Sequence, residues 1–83
     1  MQKQRLGFVG IIVEDRIKSA DPVNHILSDY GNHIVARVGI PYKGKNCSVI
    51  TLVIDMTTDE LGSLTGKLGS LKGVLIKSAL MQK

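Results

Sequence analysis

The chain has few of the residues on which disulfide-rich and aromatic-rich small domains depend. It has one cysteine, no tryptophan, one phenylalanine and two tyrosines among its 83 residues. A single cysteine excludes an intramolecular disulfide and fits a reducing compartment, so we expect a cytoplasmic protein. Because aromatic residues are scarce, the core has to be built mainly from valine, isoleucine and leucine.

Long apolar runs and a strong excess of charge are also missing. No run approaches the roughly 20 apolar residues that a membrane span needs. The basic start, residues 1–5, leads into an apolar segment that ends at Glu14-Asp15-Arg16 without a small-residue cleavage pattern, so we interpret that segment as a strand rather than an export signal. The net charge of +4 is too diffuse to predict a nucleic-acid surface. We therefore expect neither a membrane nor a nucleic-acid partner.

Apolar alternation and helical spacing predict four strands and two helices. In chain order these are strand Leu6–Val13, helix Val23–Tyr30, strands Ile34–Ile40 and Val49–Ile54, helix Asp59–Leu71 and strand Val74–Ala79. This order predicts an α+β fold, the ferredoxin-like βαββαβ sandwich, with a four-stranded antiparallel sheet and both helices on one face. We expect residues 1–83 to form a single domain because so short a chain buries only one small core.

The ends of the helices carry local signals. Asp21-Pro22 is typical of an N-cap followed by proline at the first helical position; alternatively, residues 16–20 form an earlier turn that Pro22 kinks. Gly31-Asn32 predicts a left-handed helix stop, and Thr57 with Glu60 has capping-box spacing. Glycines at 62, 66 and 69 cost the second helix stability, which indicates close approach to the sheet, to the first helix or to a partner's helix; alternatively, they are surface glycines that the helix tolerates.

The predicted helices leave the other side of the sheet uncovered. We assign the bulkier alternating set of each strand to the helix side, which for the second strand means Ile34, Ala36, Val38 and Ile40. The uncovered side would then carry Phe8, Ile12, Val35, Val49, Thr51 and Val53, with Arg37 among them. Such a face exceeds what a monomer usually leaves exposed, so we predict a homodimer or homotetramer formed through it. Arg37 at that interface would need a carboxylate or a ligand anion as its partner; alternatively, it lies at the rim and its guanidinium reaches water.

No catalytic constellation is visible, and we predict that the protein is not an enzyme. Glu14, Asp15 and Arg16 cluster at the first strand-to-helix corner, where they either cap the helix or contact a small ligand. The soft metal-ligand candidates are His25, His33 and Cys47. The last two lie at opposite ends of the predicted hairpin, roughly 20 Å apart, so they cannot share an ion within one subunit.

Several segments resemble one known family. Residues 12–16 (Ile-Val-Glu-Asp-Arg), 37–41 (Arg-Val-Gly-Ile-Pro) and 57–69, together with Gly73-Val74 and residues 77–80 (Lys-Ser-Ala-Leu), are similar to the iron-only hydrogenase system regulators. The resemblance spans nearly the whole chain. It implies an ACT-like domain that oligomerises and that occurs in anaerobic bacteria beside the maturation machinery of iron-only hydrogenase. The regulatory role of that family rests largely on this genomic association.

Two relatives of that family sharpen the expectation. ACT domains bind amino acids at subunit interfaces, often through an Asp-Arg-Pro-Gly stretch near the first strand–helix turn. Asp15-Arg16 matches its start, but Ile17-Lys18 replaces Pro-Gly, which argues against the usual contact because glycine lets backbone amides approach a ligand. Nickel-responsive repressors carry a similar C-terminal domain behind a ribbon-helix-helix segment that this sequence does not contain.

These observations predict a regulatory domain that senses a small molecule or docks onto a partner near the subunit interface. Glu14, Asp15, Arg16 and Arg37 are its predicted ligand-binding residues. The alternative is a metal-responsive transcriptional regulator in which His33 or Cys47 bridges subunits. The sequence identifies no cofactor.

Overall fold

The computed structural model describes residues 3–82, with Arg16 and Ile17 described by their backbone alone. Four strands alternate with two helices in the predicted order. They are β1 (Arg5–Val13), α1 (Arg16–Asp29), β2 (Ile34–Tyr42), β3 (Cys47–Met56), α2 (Thr58–Gly69) and β4 (Val74–Leu80), with single 3-10 turns at Gly31–His33 and Lys43–Lys45. The sheet has the strand order β2-β3-β1-β4, and every neighbouring pair is antiparallel. The predicted α+β, ferredoxin-like fold is confirmed.

The core lies between the sheet and the two helices. Along β1 and β3, alternate apolar residues point to the helix side and are almost completely buried, as the period of two predicts. The buried apolar side chains are Val9, Ile11, Val13, Val23, Leu27, Tyr30, Ile50, Leu52, Ile54, Met56, Leu64, Leu68 and Val74. All but Tyr30 and Met56 are valine, isoleucine or leucine, as the scarcity of aromatic residues requires.

Helix α1 starts at Arg16, seven residues before the predicted start at Val23. The cap is Asp15, whose Oδ1 accepts a hydrogen bond from the backbone N–H of Lys18 at 3.2 Å. Pro22 therefore lies inside the helix, where it cannot donate to the carbonyl of Lys18. Both residues are exposed, so water can satisfy that carbonyl. The earlier turn over residues 16–20 is thus part of one helix.

Two further helix signals have different outcomes. The capping box of α2 is confirmed, because Thr57 Oγ1 accepts from the Glu60 N–H and Glu60 Oε1 accepts from the Thr57 N–H. The left-handed stop after α1 is wrong. The chain leaves α1 through a 3-10 turn, and the described residues with positive φ are Asn46 and Gly73.

The glycines of α2 face away from the protein's own core. A Cβ built on Gly62, Gly66 or Gly69 would meet no described atom within 4 Å. Close approach to the sheet or to α1 was therefore a wrong expectation. A partner's helix stays a prediction.

A β-bulge in β2 reverses the predicted facing of that strand. Ile34 lies opposite Ile54, but Ala36 lies opposite Val53, so Val35 is an extra residue and the alternation shifts by one. Beyond the bulge, Ala36, Val38 and Ile40 occupy the side of the sheet away from the helices. Arg37, opposite the buried Leu52, occupies the helix side. Our assignment of these residues was wrong because a sequence gives no direct sign of a bulge.

Candidate functional site

The first strand-to-helix corner forms a cleft of about 450 Å³. The cleft is placed by topology: β1 ends beside the start of β4, and α1 begins at Arg16, shortly after β1 ends. Its lining residues are Glu14, Asp15, Lys18, Ser19, Lys72 and Gly73. We refer to this set as the corner cleft.

Backbone bonds hold the corner cleft in shape. The Glu14 N–H donates to the Gly73 carbonyl at 2.8 Å, which fixes the end of β1 against the turn before β4. The hydroxyl of Ser19, which is 8% exposed, donates to the Lys72 carbonyl at 3.2 Å. Gly73 has a φ of +77°, a left-handed conformation that glycine adopts without strain. The turn that carries Lys72 is therefore tied to α1 as well as to β1.

The corner cleft brings charges of both signs together. The acidic residues Glu14 and Asp15 line the cleft together with the basic residues Lys18 and Lys72. Asp15 also caps α1, so the capping role considered from the sequence is confirmed for this residue. The backbone of Arg16 opens the helix here, but its side chain lies outside the described part of the chain. The arrangement suits a small polar ligand with both positive and negative groups.

The two lysines of this cleft were not predicted from the sequence. Lys72 lies far from Glu14 in the chain, and no motif marks it. The predicted topology was enough to locate it, because pairing β1 antiparallel with β4 places the two residues before β4, Lys72 and Gly73, beside the two residues after β1, Glu14 and Asp15. Lys18 is the third residue of the true helix α1 and was missed because the start of that helix was placed too late.

Arg37 lies apart from the other predicted site residues. Its Nη2 donates a hydrogen bond to Oδ1 of Asn24 on α1. Arg37 and Asn24 line a second cleft of about 150 Å³ that shares no lining residue with the corner cleft. The structure therefore brings Glu14 and Asp15 together and separates Arg37 from them. Its predicted position on the uncovered side of the sheet was wrong because of the bulge in β2.

The side of the sheet away from the helices, which we call the open face, is strongly apolar. Every exposed large hydrophobic side chain of the described residues belongs to the strands or directly follows β4. These are Leu6, Phe8, Ile12, Val35, Val38, Ile40, Tyr42, Val53, Leu75 and Met81. Two shallow apolar hollows lie on this face, one beside Phe8 and one beside Ile12. The uncovered apolar surface is thus larger on β2 than we predicted. Its basic residue among those described is Lys77, opposite Gly10, and not Arg37.

The metal-ligand candidates lie in separate places. His33 Nε2 is 2.9 Å from Glu60 Oε2, and His33 Nδ1 is 3.5 Å from the side-chain nitrogen of Gln4. Cys47 begins β3 at the far end of the hairpin, and His25 is exposed on α1. Within residues 3–82, no three His, Cys, Asp or Glu side chains cluster as metal ligands would. A shared ion between subunits stays a prediction.

The carboxylate of Glu60 is held in its ionised form by the start of α2. The backbone N–H of Thr57 donates to Glu60 Oε1 at 2.8 Å, and this bond is the largest cause that lowers the pKa of Glu60. The Thr57 hydroxyl and His33 lower the pKa further, while desolvation opposes them. His33, Glu60 and Thr57 therefore form a structural link between the end of α1 and the start of α2.

Comparisons with known proteins agree with this fold. The sequence profile of the TM1266-like family, described as iron-only hydrogenase system regulators, matches residues 5–78. TM1266 from Thermotoga maritima, an uncharacterized protein of known structure, is 36% identical. The alignment has a TM-score of 0.92 and covers 96% of this chain and 100% of that one. No curated protein matches.

More distant structures share the architecture. The ACT domain of GTP pyrophosphokinase from Chlorobium tepidum has a TM-score of 0.76 at 23% identity, over 92% of this chain and 99% of that one. The CPII protein of Thiomonas intermedia, solved with ADP, AMP and acetate, has a TM-score of 0.52 at 14% identity, over 100% of this chain and 94% of that one. Neither described helix has the length and apolar character that crossing a bilayer requires.

Proposed function

Because the chain belongs to the TM1266-like family of iron-only hydrogenase system regulators, we propose that it is a non-enzymatic regulatory domain that binds a small polar ligand in the corner cleft. The carrying observation is that two acidic and two basic residues line one cleft of about 450 Å³. We place the protein in the cytoplasm because its single cysteine fits a reducing compartment.

The corner cleft suits a zwitterion better than a simple ion. Glu14 and Lys72 come from turns that a backbone hydrogen bond holds together, so the backbones that carry the two opposite charges stay close to each other. A ligand with an ammonium and a carboxylate group would pair with both, whereas a simple cation or anion would be repelled by one of them. Arg16, at the first position of α1, is the further cation that we assign to this site.

We also propose that the protein self-associates through the open face. Four strands about 4.8 Å apart and about 30 Å long give a face on the order of 500 Å² in plan. This is at the upper end of the largest apolar patch on a typical monomer. A second copy is the occupant we assign to it, because twofold pairing of one self-complementary patch is the commonest way to cover such a surface. Either a dimer or a tetramer would cover the open face.

Native mass spectrometry of the untagged protein tests the proposed ligand, since it reports copy number and any retained molecule together. We then expect thermal stabilisation of the purified protein by at least one of the standard amino acids, which serve as zwitterionic probes. The substitutions Glu14→Gln and Lys72→Gln each remove one charge and should weaken the affinity for the stabilising amino acid about tenfold. Asp15→Asn keeps an acceptor for the helix cap and removes the charge alone.

The control is Lys45→Gln, which removes an exposed cation at the hairpin tip, away from the corner cleft. We expect it to bind the probe as the wild type does. Absence of any retained molecule and of any stabilising amino acid would contradict the proposed ligand class. An equal loss in Lys45→Gln and Lys72→Gln would mean that net charge, and not the corner cleft, governs binding. Stoichiometric nickel, iron or zinc in the same spectrum would favour the metal-responsive alternative.

A further inference from the structure

A second cleft, of about 150 Å³, lies between α1 and the β2–β3 hairpin. Val13 and Ile50 form its floor and are only 1% and 6% exposed. Asn24 comes from α1, and Ser48 from β3 completes the wall. We call this space the Arg37 cleft, since that guanidinium stands at its polar side.

Small residues keep the Arg37 cleft open. Gly39 lies opposite the buried Ile50, so a side chain at this position would point into the cleft. A Cβ built on Gly39 would meet no described atom within 4 Å, which means that a larger residue would fill the space without a clash. Across the cleft, α1 presents Ala20. The cavity therefore exists because these two positions carry almost no side chain.

The polar groups of this cleft favour an anion. Among the described residues that line the Arg37 cleft, Arg37 is the one that carries a charge, and none carries a carboxylate. The bond from Arg37 to Asn24 uses one of the five N–H donors of the guanidinium and orients its plane against α1. A carboxylate is the planar anion that a guanidinium binds through two parallel hydrogen bonds.

The floor of the cleft determines the chemistry of the part of the ligand that lies away from Arg37. The buried side chains of Val13 and Ile50 offer no hydrogen-bond partner, so the part of the ligand that lies over them has to be apolar. The cleft is open to solvent at Arg37, and its volume of about 150 Å³ equals that of an enclosed apolar cavity that holds benzene, so a tail of about three or four carbons fits over the floor. We propose that the Arg37 cleft binds a short-chain monocarboxylate, with its carboxylate on Arg37 and its alkyl tail over Val13 and Ile50.

This site is separate from the corner cleft in both lining and chemistry. The corner cleft has charges of both signs, whereas the Arg37 cleft has one cation above an apolar floor. The inference therefore does not rest on the proposed zwitterion site, and either site can fail while the other stands.

Isobutyrate is a suitable probe, and isobutyramide is its uncharged isostere. Titration of each into 15N-labelled protein, followed by two-dimensional NMR, reports on the Gly39 backbone amide and the Asn24 side-chain amide. We expect saturable shifts of both signals with isobutyrate and much weaker shifts with isobutyramide. Arg37→Ala should weaken isobutyrate binding about tenfold or more, since a charge-assisted hydrogen bond is lost. Gly39→Val should abolish binding because it fills the cleft.

Two matched variants control for charge and for strand glycines. Lys45→Ala removes an exposed cation that does not line the Arg37 cleft, and Gly10→Val adds the same side chain to a strand on the open face. Both should bind isobutyrate as the wild type does. Retained dispersion of the amide signals checks that each variant is folded.

Three results would each overturn the proposal. They are no saturable shift in the wild type, equal affinity of Gly39→Val and wild type, and equal losses in Lys45→Ala and Arg37→Ala.

Discussion

Replacement of Phe8 by alanine tests whether the open face joins two copies of the chain. Phe8 lies on the central strand β1, opposite Val53, and 57% of it is exposed. With about 200 Å² for an aromatic side chain, roughly 110 Å² is available for burial by a partner, which corresponds to about 3 kcal/mol. Alanine retains part of this area, so the loss is about 2 kcal/mol per protomer and about 4 kcal/mol per twofold dimer. The dimer dissociation constant should therefore rise roughly a thousandfold.

Sedimentation equilibrium over a wide range of concentrations measures this change directly. The wild type should be a dimer or tetramer at micromolar concentration, and Phe8→Ala should shift toward monomer with an unchanged far-ultraviolet circular dichroism spectrum. Asp29→Ala, which changes an exposed residue at the end of α1, is the control and should associate as the wild type does. A wild type that stays monomeric, or a Phe8→Ala protein that associates as tightly as the wild type, would refute the reasoning.

Stability and its pH dependence give two further tests, both read from urea unfolding. Gly66→Ala should raise the free energy of unfolding by about 1 kcal/mol; no gain would indicate a partner's helix there. Gly7→Ala should lower the free energy of unfolding by about 2 kcal/mol, because its Cβ would clash with the Ala79 carbonyl oxygen. The pKa of Glu60 is lower in the folded protein than its ordinary value of 4.5. Ionised Glu60 therefore stabilises the fold at pH values above 4.5, and this contribution is lost as the pH falls through the folded-state pKa. Glu60→Gln should lose that part of the acid sensitivity, while an unchanged pH profile would contradict the Thr57–Glu60 capping link.

Local patterns predicted most of the fold because they act over a few residues. Alternation along β1 and β3 placed Val9, Ile11, Leu52 and Ile54 in the core, since one face of a strand must be buried. The capping box of α2 was found for the same reason: its bonds span three residues. Asp15 and the Asp21-Pro22 pair both offered a helix start; the structure has the earlier one, and the first turns of that helix include the buried Ser19.

Only part of the candidate site could be predicted from the sequence. Glu14 and Asp15 were found because they directly follow a strand, but Lys72 joins them through the pairing of β1 with β4. Arg37 was predicted on the wrong side of the sheet because one extra residue in β2, Val35, shifts every later side chain to the opposite face.

The sequence by itself determined the order of the elements, the composition of the core and the apolar character of the open face. Each of these follows from which residues alternate along the chain. Only the tertiary structure decided which charges meet in the corner cleft and that Gly39 and Arg37 define a second cleft against α1. Those sites depend on strand register and on contacts between distant segments, and a bulge of a single residue alters both without a local signal in the chain.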